Sequence, residues 1–202
     1  MRAETQALIV IDVQNDFCPG GSLAVAQGDA VVPGINALMD EFAVVVLTQD
    51  WHPADHSSFA VQHPRAEAFS QIEMPYGMQT LWPVHCVRGS NGAAFHAGLR
   101  TDPAQLVIRK GFRREIDSYS ALFENDRTTP TGLEGYLRGR GVTSVTLVGL
   151  ATDYCVAFSA LDAAKRGFEV AVRLGLCRAI DLGGSLAGSL AGMRSAGVRL
   201  LD

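Results

Sequence analysis

The segment Val145-Thr146-Leu147-Val148-Gly149-Leu150-Ala151-Thr152-Asp153-Tyr154-Cys155 constrains this chain more than any other. Its apolar, β-branched first half predicts a buried strand that stops near Gly149. A helix is expected from Tyr154 to Arg166, with apolar residues at Val156, Ala157, Ala160, Leu161 and Ala164 and charges at Asp162, Lys165 and Arg166. Thr152 and Asp153 suit its N-cap. Cys155 then falls in the first helical turn, where unpaired N–H groups and the positive dipole end favour a thiolate. A strand-to-helix turn bearing a cysteine is where an α/β protein would place a nucleophile.

Further strand-like runs occur at Ala7–Val13, Ala43–Thr48, Gln105–Arg109 and Glu169–Leu174, with a weaker one at Gly197–Leu201. Helical patterns fall at about Ala30–Glu41, Gly132–Gly139 and Ser185–Ala196. Near-continuous apolar strands alternating with helices predict a parallel sheet covered on both faces, hence a doubly wound, three-layer α/β/α architecture. The expectation is one domain over residues 1–202, interrupted by a long insertion at about 49–104 that is rich in Pro, His, Trp, Gly and Ser. An irregular insertion of that length at a strand end is usually functional. The Gly/Ser/Ala-rich stretch Gly183–Gly192 is expected to be a closely packed helix.

A net charge of −4 and the absence of a basic stretch argue against nucleic acid or an anionic membrane as partner. No apolar run reaches membrane-spanning length, and Met1 to Gln6 leads into a strand without a signal-peptide core. Cys18, Cys86, Cys155 and Cys177, with no CxxC among them, suggest reduced thiols and a cytoplasmic setting.

Three strand ends carry reactive groups: Asp12, Lys110 and Cys155. In a parallel sheet these ends share one edge. An Asp–Lys–Cys set is chemically coherent, because the carboxylate can take the thiol proton while the ammonium favours both anions. A second set lies in the insertion. Asp50 and His52, at i and i+2 on an extended segment, point the same way, and His85 follows in Trp82-Pro83-Val84-His85-Cys86. Two imidazoles and a carboxylate leave positions open for water or substrate, as catalytic metal sites do. His56 is a candidate fourth ligand, while His63 and His96 read as surface or capping residues.

Together, Asp12-Val13-Gln14-Asn15-Asp16-Phe17, Asp50-Trp51-His52, Trp82-Pro83-Val84-His85-Cys86, Lys110-Gly111 and Gly149-Leu150-Ala151-Thr152-Asp153-Tyr154-Cys155-Val156 resemble the isochorismatase-like cysteine hydrolases, specifically their nicotinamidase/pyrazinamidase branch. The resemblance runs in order from about Ala7 to the end. It implies a six-stranded parallel sheet with helices on both faces, and metal-dependent hydrolysis of nicotinamide to nicotinate and ammonia in NAD salvage, with pyrazinamide also turned over. It assigns Asp12 as general base, Lys110 as its electrostatic partner and Cys155 as nucleophile. Asp50, His52 and His85 would hold a divalent ion, zinc first and iron or manganese as alternatives, which takes the ring nitrogen. Phe17, Trp82 and Tyr119 would border the ring. A cis peptide before Ala151 would aim the amides of Ala151 and Cys155 at the oxyanion.

The chain departs from that family at Arg173-Leu174-Gly175-Leu176-Cys177-Arg178, where relatives usually carry an acidic pair that anchors the sheet edge. The departure bears on local stability or a subunit contact in what is expected to be a monomer or small homo-oligomer. Two rival readings remain. One is a carbamoyl or ureido amidohydrolase of the same superfamily, which keeps Asp, Lys and Cys but generally lacks the metal set. The other is a non-catalytic ligand-binding relative with an unreactive Cys155.

Overall fold

The apolar runs become six strands of one sheet. The computed structural model describes residues 4–202, so Met1 to Ala3 of the N-terminal approach lie outside the described residues. In chain order the strands are β1 (Gln6–Ile11), β2 (Val44–Asp50), β3 (Gln71–Met74), β4 (Gly77–Thr80), β5 (Leu106–Lys110), β6 (Ser144–Leu150), β7 (Glu169–Arg178) and β8 (Arg199–Leu201). The helices are α1 (Val32–Met39), α2 (Leu133–Gly139), α3 (Ala157–Lys165) and α4 (Ser185–Ser195). The main sheet runs β5-β2-β1-β6-β7-β8, and each neighbouring pair is parallel. From β1 the chain winds outward through β2 to β5, and from β6 outward through β7 to β8. The switch point, where such sheets open a ligand crevice, therefore lies between β1 and β6.

Alternation along each strand builds two cores. Ala7, Ile9 and Ile11 of β1 face Leu133 and Leu137 of α2, the alanines of α3 and Met193 of α4, while Leu8 and Val10 face Ile35, Leu38 and Met39 of α1. The apolar stretch of β7 anchors itself by packing, with Leu174 against the first core and Leu176 against the second. Gly34 of α1 makes room for it, since a Cβ there would stand 2.4 Å from Leu176 Cδ2.

The structure corrects three expectations. Thr152–Val156 forms a π turn with no side-chain cap, and α3 begins only at Ala157, so Cys155 sits in the turn and not in the first α-helical turn. Asp153 instead reaches across the fold to accept from the backbone N–H groups of Ile180 and Asp181. Helix α4 forms as expected but is not closely packed, because Met193 is its only fully buried residue. The insertion, finally, is less irregular than its composition suggests. It carries the antiparallel β3–β4 hairpin and is pinned by isolated bridges pairing His52 with Val87 and Phe59 with Trp82. No described helix is long and apolar enough to cross a membrane.

Candidate active site

Lys110, Asp50, Asp12 and Cys155 stand at the carboxyl ends of the neighbouring strands β5, β2, β1 and β6. Strand β1 ends at Ile11 because Asp12 turns into the left-handed region at φ 47, which aspartate tolerates better than most residues. Where the β1 backbone leaves β2, the Gln14 side chain continues the ladder. It accepts from Asp50 N (2.8 Å) and donates to Asp50 O (2.9 Å).

The fully buried Lys110 ammonium donates to Asp50 Oδ1, to Ser118 O (2.9 Å) and to Cys155 Sγ (3.4 Å). Those bonds use its three protons. Asp12 Oδ2 lies 2.8 Å from the same nitrogen but has no aligned hydrogen bond. Asp12 Oδ1, by contrast, accepts from the Thr48 hydroxyl at 2.6 Å. Burial raises the Asp12 pKa above the ordinary carboxylate value against the pull of Lys110. Burial also opposes charge on Lys110, but Asp12 and Asp50 outweigh it and hold the ammonium protonated. For Cys155, burial lifts the thiol well above its usual value despite Lys110, with Asp12 and Asp50 adding to the rise. Burial thus opposes the bias toward thiolate expected of a helix start, and the thiol needs a base beside it.

The second set converges too. Asp50 Oδ2 lies 3.6 Å from His52 Nε2 and 3.9 Å from His85 Nε2. His52 Nδ1 is 2.8 Å from Gly111 O, and His85 Nδ1 is 2.8 Å from Pro83 O. Carbonyls only accept, so both rings carry Nδ1–H and turn an Nε2 lone pair toward Asp50, the backing that metal-ligating histidines use. Gly111 makes this approach feasible, because at φ 64 a Cβ would stand 2.4 Å from His52 Cε1. Burial opposes charge on His52, yet Asp50 raises its pKa, while burial and His52 push His85 down to about 4. The donor set fits a divalent cation. His56 stacks on His52 with centroids 4.3 Å apart, and its nitrogens meet Ser58 Oγ (2.7 Å) and Ile116 O (3.2 Å). It backs His52 from behind. His63 and His96 bond locally, to Ser57 O and from Gly98 N.

Asp50 and His85 of the second set and Cys155 of the first open on one cavity, whose lining also includes Phe17, Trp82, Tyr119 and Ala151. The Leu150–Ala151 peptide bond is cis. Trp82 meets Tyr119 edge-on at 6.2 Å between centroids, and Phe17 lies 5.5 Å from the His85 ring. Leu23, Asp117, Tyr154 and Ile180 also line the cavity, and sequence reasoning missed all four. Asp117 had one available signal, an acidic residue two positions before Tyr119. The others sit in contexts that read as ordinary loop or helix.

The family described as the isochorismatase domain matches residues 6–202. A nicotinamidase of Acinetobacter baylyi is 52% identical over 201 residues, covering 100% of this chain and 94% of the relative. Among solved structures, a nicotinamidase/pyrazinamidase of Acinetobacter baumanii superposes with a TM-score of 0.99 at 52% identity, covering 100% of this chain and 98% of the other. A pyrazinamidase of Pyrococcus horikoshii in complex with zinc superposes with a TM-score of 0.79 at 35% identity, covering 98% and 99%. The chain belongs to the isochorismatase domain family.

Proposed function

We propose that this protein is a nicotinamidase, hydrolysing nicotinamide to nicotinate and ammonia within NAD salvage in the cytoplasm, with pyrazinamide as a second substrate. One observation carries the reading: a single cavity is lined by Cys155, by Asp50 and His85 of the Asp50–His52–His85 donor set and by aromatic rings. A flat ring with a basic nitrogen and a carboxamide on the neighbouring carbon suits that arrangement.

Asp12 Oδ2, close to Lys110 yet free of an aligned hydrogen bond, takes the Cys155 proton. The thiolate attacks the carboxamide carbon, and the amides of Ala151 and Cys155 receive the oxyanion. Asp12 hands its proton to the departing nitrogen, the C–N bond breaks, ammonia leaves and a thioester remains. Water then loses a proton to Asp12 and attacks the thioester carbon. The C–S bond breaks, the acid is released and the proton returns to sulfur. Lys110 stays cationic throughout and steadies the anions that alternate around it. Asp50, His52 and His85 would hold one divalent ion, zinc as first candidate with iron or manganese as alternatives, which offers a coordination position to the ring nitrogen.

Ammonia release from nicotinamide, with and without a chelator, tests the whole reading. Turnover that is lost on chelation, recovered on adding zinc and abolished in Cys155→Ala is expected. A metal-free protein that cleaves carbamoyl or ureido compounds but not nicotinamide would transfer the site to the rival amidohydrolases, and undiminished turnover by Cys155→Ala would sink the thioester route.

A further inference from the structure

Gln79 is fully buried in β4, on the hairpin of the insertion, and it touches neither the sulfur nor the metal donors. Its amide is nonetheless the centre of the cavity's polar scaffold. Nε2 lies 2.8 Å from Asp117 Oδ2, 2.7 Å from Thr80 O and 2.9 Å from the Tyr119 hydroxyl. Oε1 accepts from Tyr76 OH and from Asn125 Nδ2, each at 3.2 Å. A carboxylate and a carbonyl against one end fix which end is nitrogen, since neither could donate to an oxygen there. Asn125 closes the ring by accepting from Tyr119 N at 3.0 Å, and Asp117 Oδ1 accepts from Ser118 N at 2.8 Å. The Tyr119 hydroxyl in turn accepts from Trp82 Nε1 at 3.1 Å.

We infer that Gln79 is a positioning residue for substrate: it locks Asp117 and Tyr119, and through Tyr119 the Trp82 ring, into the wall against which the substrate's aromatic ring packs. The inference rests on the nicotinamide reading. It also gives the hairpin a purpose, because β4 delivers one amide to a place where the insertion meets the loop after β5. A buried network of this kind is effective only when every member is satisfied.

The test exchanges polarity within the pair. Gln79→Glu keeps the shape but sets a carboxylate against Asp117, and Asp117→Asn sets two amide NH2 groups against each other. In the double variant the new amide at position 117 can donate to the new carboxylate at position 79 while its oxygen still accepts from Ser118 N, so that one contact is rebuilt in reverse and Thr80 O is left without its donor. Each single variant is expected to raise KM for nicotinamide about tenfold, with kcat within about threefold and zinc content and Tm near wild type. The double variant should lower KM below that of Gln79→Glu, because only the clash with position 117 is removed. A KM that stays at the wild-type value in a folded Gln79→Glu overturns the inference. So does a fall in kcat matching the rise in KM, or a double variant no better than Gln79→Glu alone. If Gln79→Glu does not fold, Asp117→Asn decides by itself, and a wild-type KM there overturns the inference. A wild-type enzyme inert toward nicotinamide overturns the parent reading and this one together, whereas an active wild type with an unaffected variant overturns this one alone.

Discussion

Two carboxylates on adjacent strand ends share one ammonium, and their chemistry diverges. Asp12 at the end of β1 and Asp50 at the end of β2 are both buried, and both lie against Lys110 Nζ. Burial opposes charge on Asp50, but Lys110, His52 and His85 outweigh it and hold this carboxyl well below the usual range. At Asp12 burial prevails over Lys110, and the pKa rises. The difference lies in aligned donors and neighbouring cations. Asp50 takes a Lys110 hydrogen bond on one oxygen and faces two imidazoles with the other, while Asp12 has the Thr48 hydroxyl on one oxygen and an unaligned ion pair on the other. One group is fixed as an anion suited to binding a cation; the other is poised to gain and lose a proton. The lesson is that distance to a lysine does not assign a role, whereas the other charges nearby do: the imidazoles favour the Asp50 anion, and the Asp50 charge disfavours that of Asp12.

The sharpest way to break that comparison is to neutralise each carboxylate separately. Asp12→Asn removes the proposed proton acceptor beside Cys155, and kcat should fall about a thousandfold or more, within the usual worth of a general acid–base group. Metal stoichiometry, measured by elemental analysis, should not change. Asp50→Asn should do the reverse in kind, weakening zinc affinity by about a hundredfold or more, beyond what loss of an outer-shell partner costs. Part of its turnover should return at high zinc. Equal metal loss in both variants would erase the distinction between the two carboxylates.

Much of the sheet edge was legible beforehand, because apolar runs mark buried parallel strands and their ends share one edge by topology. Asp12, Lys110 and Cys155 therefore converge as the pattern requires. The insertion was harder. His52 and His85 could be selected by residue type, but Asp117, Gln79 and Tyr154 acquire their places from contacts 38 to 46 residues away along the chain for Gln79, and such pairings leave no local period. The electrostatics around Cys155 were only partly legible for a related reason. Helix-end electrostatics are local and visible in sequence, while burial among Asp12 and Asp50 is tertiary and dominates. The π turn that displaces α3 to Ala157 has no compositional mark either.

The smallest predicted effect sharpens the comparison most finely. Thr48 belongs to β2, the strand of Asp50, but its hydroxyl serves Asp12, donating to Oδ1 and accepting from Asp12 N at 3.1 Å. That bond favours the ionised carboxylate, opposing the burial that raises its pKa. A carboxyl with a raised pKa gains its proton at a pH where an ordinary one is still charged, and a protonated Asp12 cannot accept from the thiol. The acid limb of kcat/KM should consequently lie above the ordinary carboxylate value of 3.8 and report the coupled Asp12–Lys110–Cys155 set. Thr48→Val keeps the shape and deletes the donor, so the limb should move further toward neutral pH. Loss of one hydrogen bond to a charged group predicts roughly tenfold lower kcat/KM on the acid side. The gap should narrow as pH rises and Asp12 ionises again, and Thr48→Ser should restore the wild-type profile. A uniform loss across the pH range would instead mean that Thr48 only holds Asp12 in place, and that the divergence of the two carboxylates arises from burial alone.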